Sequence, residues 1–269
     1  MTTEIAALSV LLGLAVGLTL GALGGGGSIL TVPLLVYVLG QSASAATTGS
    51  LIIVGVAALV GWLPRLRSGQ VLLGWGVAFG ALGILGAVVG SRLSAAVPAE
   101  VLMVSFAVLM LVVAALMWHR AERGQIDRNE PPLMLTWRPF RCDCPRVLRL
   151  VVTATGVGVL TGFLGVGGGF AVVPALVMVL GLSMPQAVAT SLVVITINSA
   201  TALLTRLTIV DSADLDWRLI GTFTVAAGIG GILGARISGR LPAARLTKGF
   251  AVLLVLAATY SLGHIALTS

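Results

Sequence analysis

Acidic side chains are scarce in this chain, and those present keep to the edges. Glu4, Glu100, Glu122, Asp127, Glu130, Asp143, Asp211, Asp214 and Asp216 all fall near the termini or in the breaks between apolar runs. Metal cations and proton relays inside a membrane usually depend on a buried carboxylate, so cation transport is disfavoured and no metal site is expected. His119 and His264 sit near the ends of apolar runs, where an interfacial role fits better than proton coupling. Cys142 and Cys144 are the only cysteines, too few for a four-ligand zinc site; they are expected to be reduced and carry no assigned role. No Ser/His/Asp or Cys/His set can be assembled within one membrane leaflet from these residues, so hydrolytic catalysis has no support and no enzyme is expected. A GxxxxGK[ST] phosphate loop is absent too, so energy for any transport comes from a gradient or a partner. No cofactor is expected.

Charge of either sign is thin. Charged residues make up 9% of the chain against 58% hydrophobic, with mean hydropathy +1.10, whereas soluble domains carry about 25% charged residues. This is the composition of an integral membrane protein. Alternating ten-residue strands of a barrel are missing; apolar runs of helical length take their place, at about 5–23, 28–40, 44–63, 70–92 and 100–118, then 147–164, 169–181, 185–205, 217–237 and 246–266. The expected class is all-α and polytopic. The first run has no basic n-region, so it is expected to be a retained span and not a cleaved signal peptide.

Five runs are followed by five, and the two sets are related. GALGGGGSILTVP at 21–33 returns as GFLGVGGGFAVVP at 162–174, an offset of 141 residues that also pairs Gly40, Ser50, Leu51 and Arg65 with Gly181, Ser191, Leu192 and Arg206. After a three-residue insertion the offset becomes 144 and pairs Gly86, Gly90, Arg92, Ser94, Pro98 and Phe106 with Gly230, Gly234, Arg236, Ser238, Pro242 and Phe250. Matched Pro, Arg and Ser argue against accidental alignment of apolar sequence. The expected organisation is a first transmembrane repeat over 1–118, a basic linker over 119–146 and a second repeat over 147–269.

An odd number of runs per repeat inverts the second repeat, and the positive-inside rule tests this. With the linker in the cytoplasm, ten crossings place thirteen of the sixteen basic residues inside and leave Arg92, Arg206 and Arg218 outside. Eight crossings, with 28–40 and 169–181 re-entrant, place only eleven inside, so ten is preferred and both termini are expected outside. The linker's positive charge suits membrane lipid headgroups; about 30 residues hold no nucleic-acid-binding module. Nothing in the sequence decides for or against a homo-oligomer.

The runs 28–40 and 169–181 are too short to cross: 13 residues give roughly 20 Å of helix against about 30 Å of hydrocarbon. Glycine-interrupted short segments at matching places in inverted halves point to a transporter binding site. Helices restarting at Ser28 and Gly169 would present unpaired N–H groups and a positive dipole end to an anion, and Pro33 and Pro174 would loosen the turns from Ile29 and Phe170. The candidate substrate-binding residues are therefore Gly24, Gly25, Gly26, Gly27, Ser28, Thr47 and Ser50 in the first repeat. In the second they are Gly165, Gly167, Gly168, Gly169, Thr190, Ser191 and Asn198, the last being the one mid-run amide, with Ala57 as its counterpart. Arg65 and Arg206 are candidates for gating, against the common snorkelling role of arginines at span ends. Gly86/Gly90 and Gly230/Gly234 read as packing glycines, and Gly86→Ala is expected to cost little.

Taken together, the two glycine motifs and the ATTGSL and AVATSL segments behind them resemble the TauE/SafE family of membrane permeases over nearly the whole chain. That family comprises sulfite and organosulfonate exporters and similar anion carriers of bacterial and archaeal cytoplasmic membranes. The resemblance implies a permease for a small anion, with carboxylates as the alternative cargo and a non-transporting scaffold as the alternative class.

Overall fold

The computed structural model describes residues 3–94, 97, 99–122, 144–164, 169–207 and 215–268. Ten helices occupy them: α1 (Thr3–Leu23), α2 (Gly26–Pro33), α3 (Ala43–Trp62), α4 (Leu73–Ser94), α5 (Ala99–Glu122), α6 (Cys144–Leu164), α7 (Gly169–Met178), α8 (Met184–Leu207), α9 (Trp217–Ser238) and α10 (Ala243–Thr268). Seven are long and apolar enough to cross a membrane, whereas the apolar stretches Gly26–Val38, Val147–Phe163 and Gly169–Met178 are shorter. Large apolar side chains such as Leu11, Leu85, Leu148, Val225 and Leu256 stay more than half exposed, as expected where lipid replaces water as the surrounding medium. This is a polytopic α-helical membrane protein.

Helix ends follow local chemistry. The Ser42 hydroxyl accepts the Ala45 N–H at 3.2 Å to start α3. The Asp216 carboxylate accepts those of Arg218 and Leu219 at 3.1 and 3.2 Å to start α9. Each cap satisfies donors that a helix start leaves open. Sequence and structure differ at α2, which restarts at Gly26, with Gly25 as N-cap, and not at Ser28. A glycine at the cap needs no side chain to turn, so the helix takes up the last two glycines of the run. Pro33 closes α2, and Leu34–Val38 continue as a π-helical turn in which the Leu39 N–H reaches back five residues to Leu34 O at 3.1 Å. Pro174 sits inside α7, and the matching reach recurs after it in weaker form, Ala175 O accepting the Leu180 N–H at 3.4 Å beside the Val179 N–H at 3.0 Å. Gly40 and Gly181, paired at the repeat offset, end the two short segments with φ of 66° and 70°, the left-handed conformation that glycine adopts without strain.

Two glycine seams hold the long helices together. A Cβ at Gly17 or Gly21 of α1 would run into the carbonyls of Ala227 or Gly231 on α9, and one at Gly230 or Gly234 into those of Leu14 or Leu18. On the other side of the molecule, a Cβ at Gly158 or Gly162 of α6 would strike Gly83 O or Ala87 O on α4, and one at Gly86 or Gly90 would strike Thr155 O or Val159 O. Every contact of the first seam is matched by one in the second at offsets of 141 and 144. Backbone touches backbone throughout, the close approach that small residues permit in membranes. The packing role expected for Gly86, Gly90, Gly230 and Gly234 is therefore observed. The small cost expected for Gly86→Ala is not, because a carbonyl in a helix cannot rotate aside.

The same contacts give helix directions. α1 and α9 run parallel, as Gly13, Gly17 and Gly21 meet Phe223, Ala227 and Gly231; α4 and α6 are parallel by the same test. α3 is parallel to α9 through Gly49–Ile220 and Gly231–Ala57, but antiparallel to α8, since Gly55 meets Ser199 and Gly61 meets Leu192. Arg65, Arg67, Arg120, Arg149, Arg236, Arg240, Arg245 and Lys248 therefore share one end of the bundle, and Arg92, Arg206 and Arg218 lie at the other. The short helices start inside the protein and run to opposite ends. α7 reaches the basic end, where Arg120 donates to Val177 O at 3.0 Å. α2 folds back along α1, with Gly27 against Val16 and Leu20, and carries Leu35 to the level of Gly49 and Ile220.

Candidate functional site

The starts of the two short helices meet. A Cβ on Gly25 would overlap Gly169 O and lie 2.6 Å from the Phe170 N, and one on Gly169 would lie 2.8 Å from Ser28 Oγ. The N-termini of α2 and α7 thus abut, and Ser28 and Gly169, counterparts at offset 141, touch each other. Each N-terminus carries about half a positive charge from its helix dipole and N–H groups without intrahelical partners. Placing two such ends together is unfavourable unless something negative or polar faces them. The described acids, Glu4, Glu100, Glu122 and Asp216, all fall at helix ends.

The walls come from α1, α8, α10 and the start of α7. Gly24 has φ of 86°, and a Cβ there would lie 2.6 Å from Ser191 Oγ and 2.8 Å from Val173 Cγ2, so glycine is required both for the turn and for the close approach of α8. A Cβ on Gly26 would lie 2.8 Å from the tip of Leu253 on α10, and one on Gly27 would run into Val16 O. Phe170, fully buried, stacks edge-on against Phe106 with ring centres 5.3 Å apart, which anchors the start of α7. Ile195, one turn on from Ser191, packs on Gly169.

The polar candidates divide into those at the break and those elsewhere. Ser28, Ser50 and Ser191 donate their hydroxyls to Gly25 O, Thr47 O and Val188 O at 2.7, 2.8 and 2.8 Å, so each is internally satisfied, with an acceptor lone pair to spare. Asn198 follows Ser191 by two turns on the same face of α8, and its Oδ1 is buried with no hydrogen-bond partner. Thr190 points elsewhere: its Oγ1 accepts the Leu72 N–H at 3.2 Å and secures the entry to α4. Thr47 is half-buried one turn before Ser50. Gly165, Gly167 and Gly168 lie outside the described residues.

Arg65 is the feature that the sequence understated. It is only 6% exposed, and its Nη2 donates to Gly21 O at 2.7 Å, to Ala235 O at 3.4 Å and to Ser238 Oγ. The snorkelling alternative does not hold for this residue, whose head is buried among helix ends. Arg206 is half-buried at the end of α8. The matched pairs Gly21/Gly162 and Ser94/Ser238 carried the signal for this contact, but only the folded chain brings α1, α3 and α9 to one point.

A multi-helix membrane bundle in which two short helices meet start to start is an arrangement that membrane transporters use, and likeness to known proteins places the chain in that class. The chain belongs to the family described as Sulfite exporter TauE/SafE, which it matches over residues 9–261. It is 31% identical over 253 residues to probable membrane transporter proteins of Xylella fastidiosa strains Temecula1 and 9a5c, covering 91% of this chain and 90% of each relative. It is 24% identical over 259 residues to the probable membrane transporter protein YunE of Bacillus subtilis, covering 92% and 93%. No solved structure matches the chain.

Proposed function

We propose that the protein is a secondary transporter that moves a small anion, sulfite or an organosulfonate, by alternating access of two inverted five-segment repeats, 1–118 and 147–269, in the cytoplasmic membrane. The observation that carries this reading is the head-to-head meeting of the α2 and α7 N-termini, a doubly positive point with no acidic side chain beside it among the described residues. An oxoanion neutralises both dipole ends at once and accepts several N–H bonds. Antiparallel α3 and α8, with parallel α1/α9 and α4/α6, are the directions that an inversion of one repeat onto the other requires. The crowding of basic residues at one bundle end supports a cytoplasmic position for that end by the positive-inside rule.

In the structure Gly25 and Gly169 are in contact, so binding between the clusters requires α2 and α7 to part or the anion to lie beside their junction, toward Ser28, Ser191 and Asn198. Backbone donors recognise charge and size more than chemical identity, which keeps small carboxylates as the second reading. The test is exchange in proteoliposomes of purified protein, with labelled sulfite inside and sulfite, a two-carbon sulfonate or acetate outside. Saturable exchange with sulfite and the sulfonate supports the proposal. Exchange with acetate alone transfers the assignment to carboxylates, and no exchange with any of the three returns the protein to a scaffold role.

A further inference from the structure

The guanidinium of Arg65 ties three helices together at the basic end. Gly21 O belongs to the last turn of α1, immediately before the break, while Ala235 O and Ser238 Oγ belong to the last turn of α9. Carbonyls in a last turn carry the negative end of the dipole; Ala235 O already accepts the Gly239 N–H at 3.2 Å and the Ser238 hydroxyl at 3.1 Å, and the Arg65 cation adds a longer third bond there while binding Gly21 O on the other helix end. The bonded set has a full counterpart in the other repeat. Arg206 corresponds to Arg65 and Gly162 to Gly21 at offset 141; Ser91 and Ser94 correspond to Ala235 and Ser238 at offset 144. Register supports the match, because α8 runs parallel to α4 with Gly76 beside Val193 and Gly80 beside Ile197, which brings Arg206 level with the last turns of α4 and, through Ala87–Gly162, of α6. Yet Arg206 is half-buried and has no hydrogen-bond partner among the described residues. A matched sequence is therefore used asymmetrically.

Resting on the alternating-access reading above, we propose that Arg65 and Arg206 are reciprocal latches: the structure is latched at the cytoplasmic end by Arg65, and the mirrored state is latched at the outer end by Arg206 on Gly162 O, Ser91 O and Ser94. Opening the cytoplasmic path frees Arg65 from Gly21 O and Ser238, and the same movement gives Arg206 the partners it lacks here. One buried set of bonds is exchanged for an equivalent one, so the two states stay close in free energy, as a transporter that cycles between them needs.

The test reads access from each side without requiring transport. In a chain carrying Cys142→Ser and Cys144→Ser, single reporters are placed at Ser191→Cys, on the cytoplasmic side of the break, and at its counterpart Ser50→Cys, on the outer side. Each is labelled by an impermeant maleimide, in inverted and right-side-out vesicles respectively. Arg65→Ala should raise cytoplasmic labelling of the Ser191 reporter by about tenfold, the scale of one lost hydrogen bond to a charged group, and lower outer labelling of the Ser50 reporter. Arg206→Ala should do the reverse. Ser238→Ala and Ser94→Ala, which leave both arginines in place, should shift the same reporters in the same opposed senses by less, and they serve if an arginine variant fails to fold. Changes of the same sign at both reporters, or none, overturn the latch. Lost sulfite exchange with unchanged labelling also overturns it while leaving the transport reading intact. Reciprocal labelling without exchange of any anion keeps the latch and sinks the anion assignment.

Discussion

Replacing Gly25 by alanine plants a methyl group where the α2 and α7 N-termini touch. The backbone of Gly25, at φ −92° and ψ −12°, accepts alanine without strain, so the whole effect is steric. The added Cβ overlaps Gly169 O and lies 2.6 Å from the Phe170 N, and neither obstacle is a side chain that can swing away. Relief requires α2 or α7 to move. Overpacking of this kind costs about 1–3 kcal/mol; at about 2 kcal/mol the closed arrangement loses roughly thirtyfold in population against states with the helices parted. A cycle that passes through both arrangements slows by a comparable factor, so initial exchange rates in proteoliposomes should fall by about thirtyfold with normal yield in the membrane. Gly26→Ala is the control one residue away. Its Cβ meets only the tip of Leu253 at 2.8 Å, which a rotamer change relieves, and exchange should fall by less than threefold, on the order of 0.5 kcal/mol. Equal impairment of the two variants, or normal exchange by Gly25→Ala, would refute the assignment of the junction as the moving contact.

The seams make a separate prediction: Gly86→Ala and Gly230→Ala, which meet Thr155 O and Leu14 O at corresponding places, should each cost about 1–3 kcal/mol and lower Tm in detergent by similar amounts, while Gly156→Ala and Gly221→Ala, with open space around them, should leave Tm unchanged or raise it. Asn198→Ala should leave the ligand-free Tm unchanged, since Oδ1 has no partner to lose, yet weaken anion affinity by about 1–2 kcal/mol in a titration, the worth of one hydrogen bond to a charged group; a large ligand-free destabilisation would show the amide to be structural. Impermeant maleimide should label Cys142 in inverted vesicles and not in intact cells, and labelling in intact cells would reverse the assigned orientation.

Class, segment count and repeat were all legible without coordinates, because each is a property of local composition. Scarce charge with helical apolar runs dictates a membrane bundle, and a Gly-Gly-Gly-Gly run breaks a helix wherever it stands, at a cost of about 1 kcal/mol per glycine. The offsets of 141 and 144 located the second glycine motif and paired Gly86 with Gly230 before any contact was known. What those glycines touch was not legible. Gly86 and Gly25 both read as small residues in apolar surroundings, and only the fold shows that one lies on a seam between parallel spans and the other on the junction of two half-helices. The restart at Gly26 was not legible within a run of four like residues, and neither was the five-residue backbone reach that follows Pro33 and, more weakly, Pro174. Arg65 shows the division most plainly. Sequence placed it at a span end, where arginines commonly reach for lipid headgroups, but its partners are main-chain carbonyls on helices 44 and 170 residues away. The carbonyls carry no side-chain signature, and the repeat-matched Ser238 hydroxyl became a readable partner only once α1, α3 and α9 met, so tertiary structure decided that this arginine turns inward.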